Sequence, residues 1–488
     1  MSTETLMLST VFVPILGSLT IPLVAQISSK ARSVWSLLLG IVTSLCPILL
    51  IPFALKGGNL VVQKPLVYGF DAVFVADALS IFMAIVSSFI GGLIVFYSLG
   101  YVKHEEEQNE YYLMVLLFIG AMMGLVFSAN LIMMYLFWEI SAICCWRLIG
   151  FYREKEHVIK ADKSFLVTFG GAVVMLFGFI TIYNQTGTFN LLEMRGTTIS
   201  SLAVVLILIG MFSKSATVPI HTWLPDAGVA PSTVTALLHA AVLVKIGVYA
   251  FARIFCFTFT LPNGWYTWIP VLAMLSALIS ACAAMVDNNM KRILAYSTVS
   301  QIGYIFLGFG MFNQVGIAGA LLFILMHGLA KAGLFLCAGV VEHATHTKDI
   351  REMGGLIKTM PITAISYLLC ALSVIGIPPL GGFFSKFMVI MATVKGGQIW
   401  VAALAIFTAG LTLLYLFRLF NAVFLGEAKK KDVYPVRSSV SNGVHEGTPV
   451  MLITIASLAV LSLLAGILVR YPMQLVNVAT MQIVGGMK

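Results

Sequence analysis

Windows of twenty or so apolar residues recur from one end of the chain to the other, and this constrains the fold more than any other feature. A hydrocarbon core about 30 Å thick takes about 20 apolar residues per spanning helix. About fourteen such windows fit within the chain, the first near 6–27 and the last near 450–471. They are long continuous runs and not ten-residue alternations, which excludes a transmembrane barrel. Only 10% of the residues are charged, against about 25% in an ordinary soluble domain. The expected fold is an all-α polytopic membrane protein. The first window has no A-x-A-like site and is followed by the others, so it reads as a retained helix and not a cleaved signal.

The net charge of +9 does not point to nucleic acid, because most basic residues fall in connecting loops and alternate between them. Seventeen of the 29 Lys and Arg lie in odd-numbered loops, and seven lie in even loops or at the C-terminus. The positive-inside rule puts the odd loops, including 343–358 and 427–447, in the cytoplasm and both termini outside. The location expected is the cell (plasma or inner) membrane. The seven cysteines lie in predicted spans without iron–sulfur or zinc spacing. With no dinucleotide fingerprint, P-loop or haem attachment site, no cofactor and no metal is expected, nor any redox centre of the chain's own.

The remaining five basic residues, Lys214, Lys245, Lys331, Lys386 and Arg418, lie inside predicted spans. An ionisable residue there costs roughly 2.5–3.5 kcal/mol on insertion scales. Arg418, near a helix end, reads as snorkelling to the interface. Four lysines need partners or water. Glu139, in "LIMMYLFWEISAI", is the carboxylate deep in an apolar run, and His239 and His327 each precede a lysine on one helix. His327 and Lys331 are one turn apart, about 6 Å along one face. His239 and Lys245 are nearly two turns apart. Histidine exchanges protons near neutral pH, and lysine does so once desolvated. Carboxylate, lysine and histidine at mid-membrane depth are the composition of a proton wire. Taken alone, Glu139 and Lys214 are also compatible with a purely structural ion pair.

Two stretches interrupt their helices. "SKSATVPIHTWLPDA" (213–227) and "SVIGIPPLGGFFSKFMVI" (373–390) each combine an apolar helix, proline and a lysine. Broken helices survive at membrane depth only where protein or water satisfies the freed backbone. The breaks fall in the seventh and twelfth spans, an odd offset that reverses orientation. This pattern suggests a transporter of inverted repeats with discontinuous helices along its pathway.

The chain resembles the antiporter-like membrane subunits shared by respiratory complex I, Mrp-type cation/proton antiporters and group 4 membrane-bound hydrogenases. The stretches that carry the resemblance are "FWEISA" (137–142), "KSATVPIHTWLPDAGVAPSTVTALLHAAVLVKIGVY" (214–249), "NNMKRILAYSTVSQIGY" (288–304), "MHGLAKAGLF" (326–335), "HTKDIREMGGL" (346–356) and "IPPLGGFFSKF" (377–387). It implies a division into helices one to three (1–111), two inverted five-helix repeats (112–258 and 259–426), and a loop with the fourteenth helix (427–488). It also implies roles. Glu139 and Lys214 are expected to be the family's ion pair, Lys245 its eighth-helix lysine and His239 the nearby histidine. His327 and Lys331 are expected to be the central relay, and Lys386 the exit residue. Some members carry glutamate at that last position, so Lys386 disfavours them as nearest kin. The chain ends soon after the fourteenth window and resembles the shorter members. The basic "CCWRLIGFYREKEH" (144–157) leans towards the hydrogenase branch. Asp71 and Asp77 read as ordinary loop acids, and "HEEEQNEYY" (104–112) as a solvated loop.

The leading expectation is a proton- or sodium-translocating subunit of a redox-driven complex, beside other antiporter-like membrane subunits and peripheral redox subunits. The alternatives are a subunit of an Mrp-type sodium/proton antiporter and a non-conducting membrane scaffold. No nucleic-acid partner is expected; the bilayer is.

Overall fold

A helix in lipid satisfies its own backbone polar groups, and this chain crosses in fourteen helical spans. Residues 2–65, 71–427 and 446–485 are described in the computed structural model. The spans are α1 (Thr3–Leu19), α2 (Ser29–Leu49), α3 (Ala78–Tyr101), α4 (Gln108–Phe127), α5 (Leu131–Ile149), α6 (Lys155–Thr186), α7 (Ser201–Lys214, then Trp223–Asp226) and α8 (Ser232–Thr258). They continue with α9 (Trp265–Val286), α10 (Met290–Gly310), α11 (Gln314–Thr345), α12 (Pro361–Ile375, then Gly381–Lys395), α13 (Ile399–Phe424) and α14 (Pro449–Ile467). Among the described residues eleven helices are long and apolar enough to cross a membrane. The spans α1, α7 and α12 begin with shorter apolar helices, two of them shortened by the expected breaks.

Loops of one parity meet only each other in the isolated bridges formed by the described residues. Phe74 bridges Ser128, Asn130 bridges Asn190 and Thr198 bridges Thr260 on the even-loop face, while Asn289 bridges Asp349 on the odd-loop face. This agrees with the alternation of basic residues. Lys429, Lys430, Lys431, Arg437 and Lys488, which contributed to that alternation, lie outside the described residues, as does most of the 427–447 loop.

The bundle is built around α8, α10 and α11. The apolar window of α8 is 100% buried and those of α10 and α11 94%, against 39% for α6 and α13. The central helices therefore carry the polar groups, and the outer ones face lipid. Small residues set the close approaches. A Cβ on Gly247 of α8 would lie 2.4 Å from the Met211 carbonyl of α7. One on Gly466 would lie 2.4 Å from the Pro379 carbonyl, so α14 presses on the break in α12.

Two elements are not foreshadowed by the apolar windows. An antiparallel hairpin, β1 (Leu60–Pro65) and β2 (Asp71–Ala76), lies between α2 and α3, with Leu60 opposite Ala76 and Pro65 opposite Asp71. A further helix, α15 (Arg470–Val484), follows α14, which ends at Ile467 and not near 471. Gln474 and Asn477 are exposed on α15 while Leu475, Val476, Ala479 and Ile483 are buried, so its apolar residues form a stripe and not a window. Its end closes the even-loop face: Gln482 accepts from the Ala78 N–H at 2.9 Å, and its carbonyl accepts from Arg195 at 2.8 Å.

Candidate functional site

The interior lysines come from four different helices, and each is held by a different kind of partner. Lys214 ends the first half of α7 and is wholly buried. Its ammonium donates to the Trp138 carbonyl of α5 at 3.1 Å and lies 5.5 Å from the Trp138 ring centre. Glu139 is the next residue of α5, and its Oε1 is buried without a hydrogen-bond partner. The expected ion pair is thus side by side but open: the lysine is satisfied by the backbone one residue away.

Lys245 does not pair along its own helix with His239. Its Nζ lies 2.6 Å from Nδ1 of His327 on α11. A π-helical turn at Leu237–Ala241 separates the two α8 residues, and such turns often mark functional sites. His239 stacks on Phe335 of α11, with ring centres 4.3 Å apart, and both its ring nitrogens are buried without a partner. His327 and Lys331 also look different ways. Lys331 donates to the Leu294 carbonyl of α10 at 3.1 Å, while Nε2 of His327 is unpartnered. The same-helix spacing placed these groups at the right depth, but their partners sit on the neighbouring helix.

Lys386 starts from the second half of α12 and reaches back over the break. It donates to the carbonyls of Val374 and Ile375 at 2.7 and 3.2 Å. These are terminal carbonyls of the first half, which have no intrahelical partner. The ammonium lies 5.1 Å from the Tyr304 ring centre of α10. Gly382 allows the halves to fold together, since a Cβ there would lie 1.7 Å from the Ser373 carbonyl. In α7 the corresponding terminal carbonyl, Ser213, is taken by the Trp223 indole N–H at 3.0 Å. Arg418 reaches the Ala284 and Asp287 carbonyls at the end of α9, as a snorkelling residue does.

Polar side chains from α10 and α13 fill the same layer as Lys331 and Lys386. The Tyr415 and Ser297 hydroxyls are 2.8 Å apart, Gln301 donates to Thr412 at 3.4 Å, and Tyr304 donates to the Ala405 carbonyl at 2.5 Å. Their sequence signal is "YSTVSQIGY" (296–304), polar residues within an apolar run, to which sequence reasoning alone gave no role.

Three charged clusters near the two faces brace this interior. Asp226 joins Lys163 and Arg292, both at 2.7 Å, and so ties the second half of α7 to α6 and α10. Glu342 of α11 holds Lys291 at 2.6 Å, Lys348 at 3.1 Å and the Ser232 hydroxyl at 3.0 Å. Lys291, expected in a loop, is buried. Asp77 is not the ordinary loop acid expected: it is 2% exposed, caps α3, and holds the two terminal nitrogens of Arg253 at 2.6 and 2.8 Å. Arg253, also expected in a loop, is 1% exposed in the last turns of α8. Burial alone would raise the Asp77 carboxyl; the guanidinium beside it overrides this and holds it below the usual carboxylate range. Among the described residues no group of three or more His, Cys, Asp or Glu could hold a metal ion.

Fourteen spans, two of them broken, enclosing lysines and histidines that meet across helices define a polytopic membrane protein with a buried, titratable interior. The match to the family described as "NADH:quinone oxidoreductase/Mrp antiporter, TM" covers residues 128–412, and the chain belongs to that family. Residues 68–112 match the N-terminal region of chain 5 of complex I. The chain is similar to the Na(+)/H(+) antiporter A1 subunit of Staphylococcus haemolyticus, 33% identical over 94% of this chain and 60% of that one. It is 36% identical to the corresponding Na(+)/H(+) antiporter protein of Alkalihalophilus pseudofirmus over 79% of this chain and 51% of that one. The chain thus spans between half and three-fifths of the length of these curated relatives. Its fold is that of a chain in the Mrp complex of a Dietzia species, with TM-score 0.86, 24% identity, and coverage of 99% of this chain and 97% of that one. A chain of the membrane-bound sulfane sulfur reductase, an archaeal respiratory membrane complex, has the same fold, with TM-score 0.86, 22% identity, and coverage of 99% and 98%.

Proposed function

We propose that the chain is the proton-translocating, antiporter-like subunit of an Mrp-type sodium/proton antiporter. The observation that carries this is the Lys245–His327 contact of 2.6 Å between α8 and α11. A lysine–imidazole hydrogen bond passes a proton either way: charged lysine donates to Nδ1, or the protonated ring donates to neutral lysine. Around it stand Lys214 and Glu139 on one side, and Lys331 and Lys386 on the other. A proton arriving at the centre repels the ammonium of Lys214 towards Glu139, and it leaves by way of Lys331 and Lys386. His239 is the unpartnered acceptor beside that centre.

The redox-driven complex was the leading expectation from sequence. The curated relatives named above belong to sodium/proton antiporters, which supports the alternative, with other membrane subunits as partners and no peripheral redox subunit required. The excess of basic residues in the odd loops supports a cytoplasmic odd-loop face in the plasma membrane. The test is Lys331→Ala in the native assembly reconstituted in vesicles. Sodium-driven proton movement should be lost while the assembly stays intact. Undiminished transport would refute the reading, and proton pumping driven by an electron donor would restore the redox-driven one.

A further inference from the structure

The central pair has a second polar column leading away from it. Lys245, Tyr249 and Arg253 follow one another at intervals of four on α8, each step rising about 6 Å towards the even-loop face. Tyr249 and Arg253 are buried, and beyond them is a cleft of about 80 Å³ lined by Asn59, Asp77, Arg195 and Phe257. Polar groups thus lead from the centre of the membrane to the surface by a route that avoids Lys331 and Lys386.

The hydrogen bonds on this column point the wrong way for a proton. A conducting group accepts on one side and donates on the other. Tyr249 gives its proton sideways to the Val126 carbonyl at 2.5 Å and accepts from Nε of Arg253 at 2.9 Å. The terminal nitrogens of Arg253 both donate to Asp77. Guanidinium has five donors and no acceptor, and it stays protonated in proteins. A proton moving out from Lys245 would have to be accepted by a group that accepts nothing. A second guanidinium reinforces the first: Arg195 and Arg253 lie 4.4 and 4.7 Å from the Phe257 ring centre. Two positive charges at the cleft also repel cations entering from the even-loop side.

We propose that Arg253, aimed by Asp77 and Tyr249, is a proton barrier that closes the even-loop end of α8, so that a proton on Lys245–His327 leaves only through Lys331 towards Lys386. This rests on the translocation reading above. The arginine acts as a positioning residue: it touches no transported ion and directs where the proton goes.

The test measures passive proton leak into vesicles carrying the native assembly, with sodium equal on both sides. Arg253→His replaces a pure donor with a group that both accepts and donates. It should raise the leak several-fold, and adding Lys245→Ala should abolish that rise. Because histidine leaves Asp77 with a weaker partner, Asp77→Asn/Arg253→His is measured beside it with the same expectation. Asp77→Leu/Arg253→Met fills the site with apolar side chains and should stay tight. Three results would overturn the proposal: histidine variants as tight as the parent chain, a leak that persists without Lys245, or an apolar pair that leaks as much as histidine. Failure of the translocation reading is read separately, by undiminished sodium-driven transport in Lys331→Ala.

Discussion

The two broken helices solve one problem with different residues. Each break leaves terminal carbonyls of its first half without intrahelical partners. In α12 the lysine itself answers them: Lys386 donates to Val374 and Ile375, where the negative end of the helix dipole also favours a cation. In α7 the Trp223 indole answers the Ser213 carbonyl, and the lysine next to it is released to another helix. The difference teaches what each lysine can do. Lys386 is anchored, and moving it would orphan two carbonyls. Lys214 is held by a single backbone carbonyl beside the open carboxylate of Glu139, so it can change partner at little structural cost.

The largest effect should come from Lys386→Ala. Leaving buried acceptors unsatisfied costs about 1–3 kcal/mol each, so the assembly should lose thermal stability as well as transport. Lys214→Ala should lose transport with a much smaller change in melting temperature. Equal shifts in the two variants would break the comparison.

Next comes the residue between them. Lys331 donates to one carbonyl, Leu294, and has to release its proton if it is a relay. Lys331→Arg keeps the charge and the donor but stays protonated. Transport should fall strongly in vesicles while the assembly melts near the parent temperature. Full transport by the arginine variant would make Lys331 a fixed charge like Arg253.

The third test separates a switching pair from a structural one. Breaking a buried ion pair by removing one partner costs about 3–5 kcal/mol, while replacing both partners can be nearly neutral. The open geometry predicts that Glu139→Gln/Lys214→Met assembles normally and does not couple. Recovery of coupled transport in this double variant would leave the two residues with a structural role only.

How much of this could be read from the chain follows from what each feature costs. A lysine inside an apolar run is expensive wherever its partner lies, so Lys214, Lys245, Lys331 and Lys386 were visible one at a time. The breaks were visible because proline cannot continue a helix. The partners were not, because they are tertiary. Lys245 meets a histidine 82 positions away, and Arg253 meets an aspartate 176 positions away. Same-helix spacing suggested His239 for Lys245 and Lys331 for His327, and helix packing chose otherwise. Asp77 and Arg253 were passed over because each sits at the edge of its span, where a charge usually meets solvent. The helix α15 was hidden for the opposite reason, its polar residues interrupting the run that defined every other span.

The smallest effect is the one that sharpens the comparison most. If Trp223 is what frees Lys214, then Trp223→Phe should make α7 behave more like α12. The ring is kept and one donor is lost, which leaves the Ser213 carbonyl without its partner. Lys214, the next residue, is then the nearest donor able to serve it, as Lys386 serves Val374. That substitution of partners recovers part of the 1–3 kcal/mol that an orphaned carbonyl costs, so the stability loss should be about 1 kcal/mol. Transport should slow without stopping, because Lys214 would now have to leave a helix terminus before it could turn to Glu139. Adding Glu139→Gln to Trp223→Phe should then do no more harm to stability than Glu139→Gln alone, since the lysine no longer depends on α5. Parent transport rates in Trp223→Phe, with an unchanged melting temperature, would show that the indole bond does not set the freedom of Lys214.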